Sequence, residues 1–348
     1  MPIKLLLLSC LVIAIFLMPA FAERPILIAH RGASGDRPEH TLEAYRLAIE
    51  MGADFIEPDL VLSKDGVLVA RHENEISGTT DVAQRPEFAA RRATKTIDGQ
   101  SVTGWFTEDF TFAELRTLKA RERLPELRVA NTAYDGQFLI PSFDEILALA
   151  QTEGQARGRV IGVYPETKHP SYFASIGLPH EAPLLSALAH YGLTEAGSPV
   201  FIQSFEVGNL QVLRGKTQVR LIQLIDSDGG PADLPAMLYA DMITPNGLKA
   251  IAAYADGIGP FKDLVIARTK DGHLGHPTQL VEQAHAVGLK VHPWTFRAEN
   301  EFLPAGLKSS SDPKEKGDLA AEINAFVAAG VDGIFSDHSA EAHAALSD

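Results

Sequence analysis

The sequence predicts a closed (β/α)8 barrel, and three observations predict it. Short apolar runs alternate with helix-period segments roughly eight times along 348 residues. Nearly every run ends in polar or charged residues. Those polar ends carry the side chains capable of chemistry, and they come from many different strands, which a barrel gathers into one mouth. A doubly wound open sheet is the structural rival, but it would spread them along an edge. A length suggesting about two domains also fits one barrel of about 250 residues with an addition.

The segment before the first unit is different. Lys4 precedes an apolar run from Leu5 to Met18, closed by Pro19-Ala20-Phe21-Ala22. A basic start, an apolar centre and a small-x-small end predict a secretory signal peptide over residues 1–22, cut after Ala22. The run is short for a retained anchor, since spanning needs about 20 residues, so no stable membrane insertion is expected once it is removed. A lipoprotein site at Leu7-Leu8-Ser9-Cys10 has almost no apolar segment ahead of it. Cys10 is the only cysteine, so the mature chain, 23–348, is expected to lack disulfides, thiolate catalysis and cysteine-held metals. Such a protein suits the bacterial periplasm.

The barrel units follow in order. Ile26-Leu27-Ile28-Ala29 runs into His30-Arg31-Gly32, and Thr41 caps a helix whose Leu42, Tyr45 and Ile49 share a face up to Gly52. Asp54-Phe55-Ile56 runs into Glu57-Pro58-Asp59. Next, Leu60-Val61-Leu62 and Val67-Leu68-Val69-Ala70 flank Asp65-Gly66, a hairpin signal that returns His72 beside Glu57 and Asp59. From there to about Tyr134 the chain is charged and turn-rich, so an insertion at the barrel mouth is expected over roughly 61–140. Ser142 caps the next helix. Val160-Ile161-Gly162-Val163 leads to Glu166 and Lys168, and Val200-Phe201-Ile202 to Gln203-Ser204-Phe205. The remaining strands are Arg220–Leu224, Gly257–Pro260, Lys290–Trp294 and Gly333–Asp337, with helices over Leu280–Val287 and Ala320–Ala328 closed by Gly288 and Gly330.

The polar ends suggest a chemistry. Glu57 and Asp59 lie two apart, so their side chains point the same way and repel unless a proton or cation sits between them. Glu166 offers a third carboxylate, and an all-oxygen set suits Ca²⁺ or Mg²⁺. The plainer reading is a solvated rim paired with Arg31 and Lys168. His30 and His72 face the same mouth and can divide general base and general acid work. Arg31 and Lys168 can hold phosphate oxygens, Gly32 lets backbone come close, and Trp294 can wall off a carbon skeleton. With 31 basic against 45 acidic residues, net −14, the chain as a whole repels nucleic acid and anionic lipid. A phosphate substrate therefore needs a local cationic pocket.

His30-Arg31-Gly32, Pro38-Glu39-His40-Thr41, Glu57-Pro58-Asp59, His72 and Glu166-Thr167-Lys168 together resemble the glycerophosphodiester phosphodiesterases. Gln203-Ser204-Phe205, Tyr254–Pro260 and His292-Pro293-Trp294-Thr295 are similar to their periplasmic bacterial branch. The resemblance implies hydrolysis of small glycerophosphodiesters to sn-glycerol 3-phosphate and an alcohol. It implies one divalent cation, Ca²⁺ ahead of Mg²⁺, on Glu57, Asp59 and Glu166, with His30 and His72 as the acid/base pair. It also implies Arg31 and Lys168 on phosphate, Trp294 against glycerol, and Glu39 as a support. Two positions depart from the family pattern: Glu73 follows the second histidine where the family often has Asp, and His40 replaces an asparagine. The alternatives are a lysophospholipase D or phospholipase C-like enzyme acting on lipids, marked by apolar or basic residues at the mouth, and a non-catalytic phosphodiester-binding protein.

Overall fold

The computed structural model describes residues 24–347, so the expected signal peptide lies outside the described residues. The chain opens with β1 (Ile26–His30), α1 (Leu42–Glu50), β2 (Phe55–Glu57) and β3 (Asp59–Leu62), and turns back through β4 (Leu68–Ala70). A hairpin of β5 (Ala93–Ile97) and β6 (Gln100–Gly104) and the one-turn α2 (Phe112–Leu115) precede α3 (Phe143–Arg157). Next come β7 (Gly162–Val163), β8 (Glu166–Thr167), α4 (Pro170–Ser175), α5 (Glu181–His190), β9 (Phe201–Ser204) and α6 (Val207–Arg214). They lead to β10 (Arg220–Ile225), α7 (Tyr239–Met242), α8 (Pro245–Ile251) and β11 (Gly257–Pro260). The last part holds the hairpin of β12 (Ile266–Arg268) and β13 (Leu274–Pro277), then α9 (Leu280–Ala286), β14 (Lys290–Val291), α10 (Leu319–Ala328), β15 (Gly333–Ser336) and α11 (Ser339–Ser347).

The expected barrel is present. Its wall runs β15-β1-β2-β7 on one side and β14-β11-β10-β9-β8-β3 on the other, all parallel. The two arcs join because β2 continues into β3, and β7 into β8. Pro58 has no N–H to donate, which breaks one strand in two, but its carbonyl still accepts from the Glu166 N–H at 2.9 Å. Ring closure comes from Asp332 N–H to the Val291 carbonyl (2.9 Å) and Phe335 N–H to the Pro293 carbonyl (3.2 Å). The helices pack their apolar faces on the outside of this wall, where Leu27, Ala29, Ile56 and Ile202 are fully buried.

Strand alternation then places the site. Inward side chains recur every second residue, and a lower interior layer of Ile28, Phe55, Tyr164, Phe201, Ile222 and Phe335 fills the barrel with apolar rings and branches. Two residues further toward the C-terminal end, the same strands present His30, Glu57, Glu166, Gln203, Leu224 and Asp337. The apolar layer is thus a dry floor, and the polar layer above it is the base of a pocket.

The expected hairpin forms, with Leu60, Val61 and Leu62 opposite Ala70, Val69 and Leu68. Gly66 takes φ +78° in the turn. Between β4 and α3 no barrel unit occurs; short 3₁₀ turns and the β5–β6 hairpin cover one side of the mouth. Thr41 and Ser142 both cap their helices, accepting from Ala44 and Glu145 N–H groups.

Candidate active site

Seven of the eight residues singled out from sequence line one cavity of about 280 Å³: His30, Arg31, Glu57, His72, Glu166, Lys168 and Trp294. Gln203, Phe205, Leu224, Asp226 and Phe335 complete it. The eighth, Asp59, lies just behind, with its carboxylate in the same cluster as Glu57 and Glu166. Strand register accounts for the gathering, since His30 stands opposite Glu57, Asp59 opposite Glu166, and Glu166 opposite Gln203.

The three carboxylates are buried, and one oxygen from each lies within 4.8 Å of the others. Among the described residues Glu57 has no cationic side chain as a hydrogen-bond partner; it accepts from the Arg31 backbone N–H (2.8 Å) and Gln203 Nε2 (3.1 Å). Burial, then the charges of Asp59 and Glu166, push its carboxyl well above the usual range. Burial likewise raises Glu166 to about 8, although Lys168 Nζ sits 3.0 Å away. Asp59 goes the other way: burial opposes its ionisation, but His40 Nε2 at 2.9 Å and Arg31 hold it well below the carboxylate range. Neighbouring buried acids that repel one another, all with oxygen donors, fit a hard divalent cation. The buried Gln203 Oε1, on the amide whose Nε2 donates to Glu57, has no hydrogen-bond partner among the described residues.

His30 ends β1 and its Nδ1 lies 2.6 Å from Asp337 Oδ1. Asp337 is itself fixed by Arg128 (2.6 Å) and Arg297 (2.8 Å). Burial, then Arg31, lowers the His30 pKa to about 4 even against the Asp337 carboxylate. His72 follows β4, held beside β3 by the Arg71 N–H to the Asp59 carbonyl at 2.9 Å. Burial, Arg31 and Lys168 lower it to about 3, and its Nδ1 meets Glu73 Oε1 at 3.0 Å. In both rings burial opposes the charged form, and Nδ1 faces a carboxylate.

Arg31 has φ +62° and is buried. Its Nη1 bonds Glu39 at 3.0 Å and its Nε lies 3.3 Å from Asp59. Glu39 also accepts from Arg123 at 2.8 Å. Arg31 and Lys168 thus neutralise acids while lining the cavity. Trp294 edges onto Phe205 (5.8 Å) and Phe261 (5.3 Å), and its indole donates to the Gly259 carbonyl at 2.8 Å. One expectation changes: the close approach at Gly32 is to α1, not to the cavity. At φ +84°, a Cβ there would lie 2.7 Å from the Ala44 carbonyl carbon.

Sequence reading assigned no role to Asp337 and did not find His40 behind Asp59. Asp337 had a signal: it is the polar stop of the last strand, and barrel closure sets Ser336 beside Ala29, one residue before His30. The His40 bond to Asp59 had none, because it depends on a left-handed turn at φ +55°.

The sequence matches the model of the glycerophosphoryl diester phosphodiesterase family over residues 30–341. It is 38% identical over 337 residues to a glycerophosphodiester phosphodiesterase of Arabidopsis thaliana, covering 93% of this chain and 87% of that one. With a glycerophosphodiester phosphodiesterase of Haemophilus influenzae the identity is 29% over 299 residues, covering 79% of each. An Oleispira antarctica phosphodiesterase, solved in complex with the product sn-glycerol-3-phosphate, shares the fold at a TM-score of 0.59 and 20% identity, over 93% of this chain and 98% of that one. The chain belongs to the glycerophosphoryl diester phosphodiesterase family, a family of phosphoric diester hydrolases.

Proposed function

We propose that this chain is a metal-dependent glycerophosphodiester phosphodiesterase of the periplasm that releases sn-glycerol 3-phosphate and an alcohol by histidine–histidine acid/base catalysis. The observation that carries the reading is one small cavity lined by His30, His72, Arg31, Lys168, Glu57 and Glu166, with Asp59 completing the acidic trio just behind it. The Oleispira relative's complex with sn-glycerol-3-phosphate supports the substrate class. The periplasmic location rests on residues 1–22 alone.

Glu57, Asp59 and Glu166 would hold a divalent cation, Ca²⁺ ahead of Mg²⁺, which would supply charge stabilisation at the phosphoryl group. Arg31 and Lys168 orient the phosphate oxygens, and Trp294 packs the glycerol carbons against the apolar side of the cavity. Asp337 accepts the Nδ1 proton of His30, and the Glu73 carboxylate stands 3.0 Å from Nδ1 of His72, so each ring would work through Nε2. One Nε2 takes the proton of the nucleophile, water or the glycerol 2-hydroxyl. The other gives a proton to the leaving alkoxide, its charged form favoured once the anionic phosphate enters the cavity. The phosphorus–oxygen bond to the alcohol breaks and one to the nucleophile forms. The buried apolar floor excludes bulk water from these transfers.

The test is product identity. Incubation with glycerophosphocholine should yield glycerol 3-phosphate and choline; phosphocholine and glycerol as products would contradict the reading. A second reading, hydrolysis of lipids, has one observation in its favour. Leu234, Met237 and Leu238 are exposed on the loop after β10, whose Gly230 and Ala232 line an adjoining cavity. Faster turnover of lysophosphatidylcholine micelles than of glycerophosphocholine would support it.

A further inference from the structure

The carboxylate behind His72 is the longer acid of a pair, and its second oxygen is not free. Glu73 meets His72 Nδ1 through Oε1 at 3.0 Å and His169 Nε2 through Oε2 at 2.8 Å. His169 in turn sets Nδ1 2.6 Å from Asp98 Oδ2. Asp98 (φ +48°) and Gly99 (φ +79°) form the turn of the β5–β6 hairpin, while His169 (φ +47°) directly follows Lys168 at the start of α4. The line His72–Glu73–His169–Asp98 therefore ties the tip of the mouth-covering hairpin to the loop after β8. Of this line only His72 lines the main cavity; His169 and Asp98 line the adjoining one, which shares Glu166 and Lys168 with it.

We propose that His169, backed by Asp98, is a positioning residue for His72, acting through Glu73; the proposal rests on His72 being half of the acid/base pair. The Glu73 side chain is nearly half exposed (46%). A three-bond arm in water samples many rotamers and holds an imidazole poorly unless something anchors its far oxygen. An aspartate at that position would need no such anchor, having fewer rotatable bonds. The long acid and the second histidine are thus one device. His169 is suited to it, since burial is outweighed by its hydrogen bonds to Asp98 and Glu73, which raise it to about 9 and keep it a double donor.

The test is a double-mutant cycle with an independent spectroscopic readout. His169→Ala should lower kcat about 10–100-fold with KM within about threefold, the scale of losing an orienting partner. His169→Gln, which keeps a donor toward Glu73, should recover much of that loss. In a Glu73→Asp background the same His169→Ala change should have less than about a twofold effect. Asp98→Ala, at an exposed turn, should act in the same direction but more weakly and keeps the test open should His169→Ala fold poorly. In metal-free protein, ¹⁵N shifts of His72 should report Nδ1–H as the dominant tautomer and a mixture in His169→Ala. Equal losses in the wild-type and Glu73→Asp backgrounds, or unmoved His72 shifts, would overturn the proposal. An active His72→Ala variant would instead overturn the acid/base reading, while the shifts would still read the positioning.

Discussion

His30 and His72 reach the same cavity by unlike local means. His30 ends a central barrel strand and leans on a buried aspartate that two arginines hold in place. His72 arrives on the return arm of a hairpin and leans on a half-exposed glutamate. Truncating either to alanine should lower turnover at least about a hundredfold with the melting temperature nearly unchanged; near-normal turnover in either variant excludes that histidine from the chemistry. Asp337→Asn should fall between wild type and His30→Ala, because the ring keeps its place but loses the group that fixes its tautomer. At this scale the strand-end residues were legible, since a polar stop to an apolar run marks the mouth of a barrel. Asp337, His40 and His169 were not assigned, for two reasons. The first bond spans 307 positions in sequence. The other two residues sit at positive φ, a backbone choice that no periodicity announces.

Among the elements, the turn from β1 into α1 does the most to shape the site. Gly32 lets that turn lie against the Ala44 backbone, and the same turn carries Arg31 at positive φ into the acids. Gly32→Ala should destabilise the fold by roughly 2–5 kcal/mol, from left-handed strain and a backbone clash together. Thermal or denaturant melts measure this, and a loss below about 1 kcal/mol would contradict the packing account. The β5–β6 hairpin gives a pH-dependent counterpart. His169 has its pKa raised from 6.5 to about 9 in the folded state, so its contribution is fully present below about 6.5 and lost as pH rises through about 9. Wild type should therefore lose its stability advantage over His169→Ala between those values. An advantage that does not change with pH would contradict the ion-paired histidine. The helices and hairpin β3–β4 were legible from caps and turn residues such as Thr41, Ser142 and Asp65-Gly66. The region around β5 and β6 was not, because it covers the mouth with mostly exposed strands that bury little and so leave little apolar pattern.

For the whole molecule, the net charge is −14, and the barrel gathers Arg31 and Lys168 at one cavity. Closure brings Arg31 and Lys168 beside three acids that repel one another, and in the proposed reading a bound cation would supply the further positive charge that favours a phosphate. Among the described residues no helix is long and apolar enough to cross a membrane. A divalent cation binding only the folded state should also stabilise it, by about 2.7 kcal/mol at a hundredfold excess over its Kd, and calorimetric melts of the chelated protein with and without added Ca²⁺ would read that shift. The most direct measurement is the release of glycerol 3-phosphate from glycerophosphocholine by chelated protein, repeated after Ca²⁺ or Mg²⁺ is restored. Release should disappear with the chelator and return with either ion, more fully with Ca²⁺. Release that persists in the chelator would contradict the metal site at Glu57, Asp59 and Glu166, and no release under any metal would contradict the function itself.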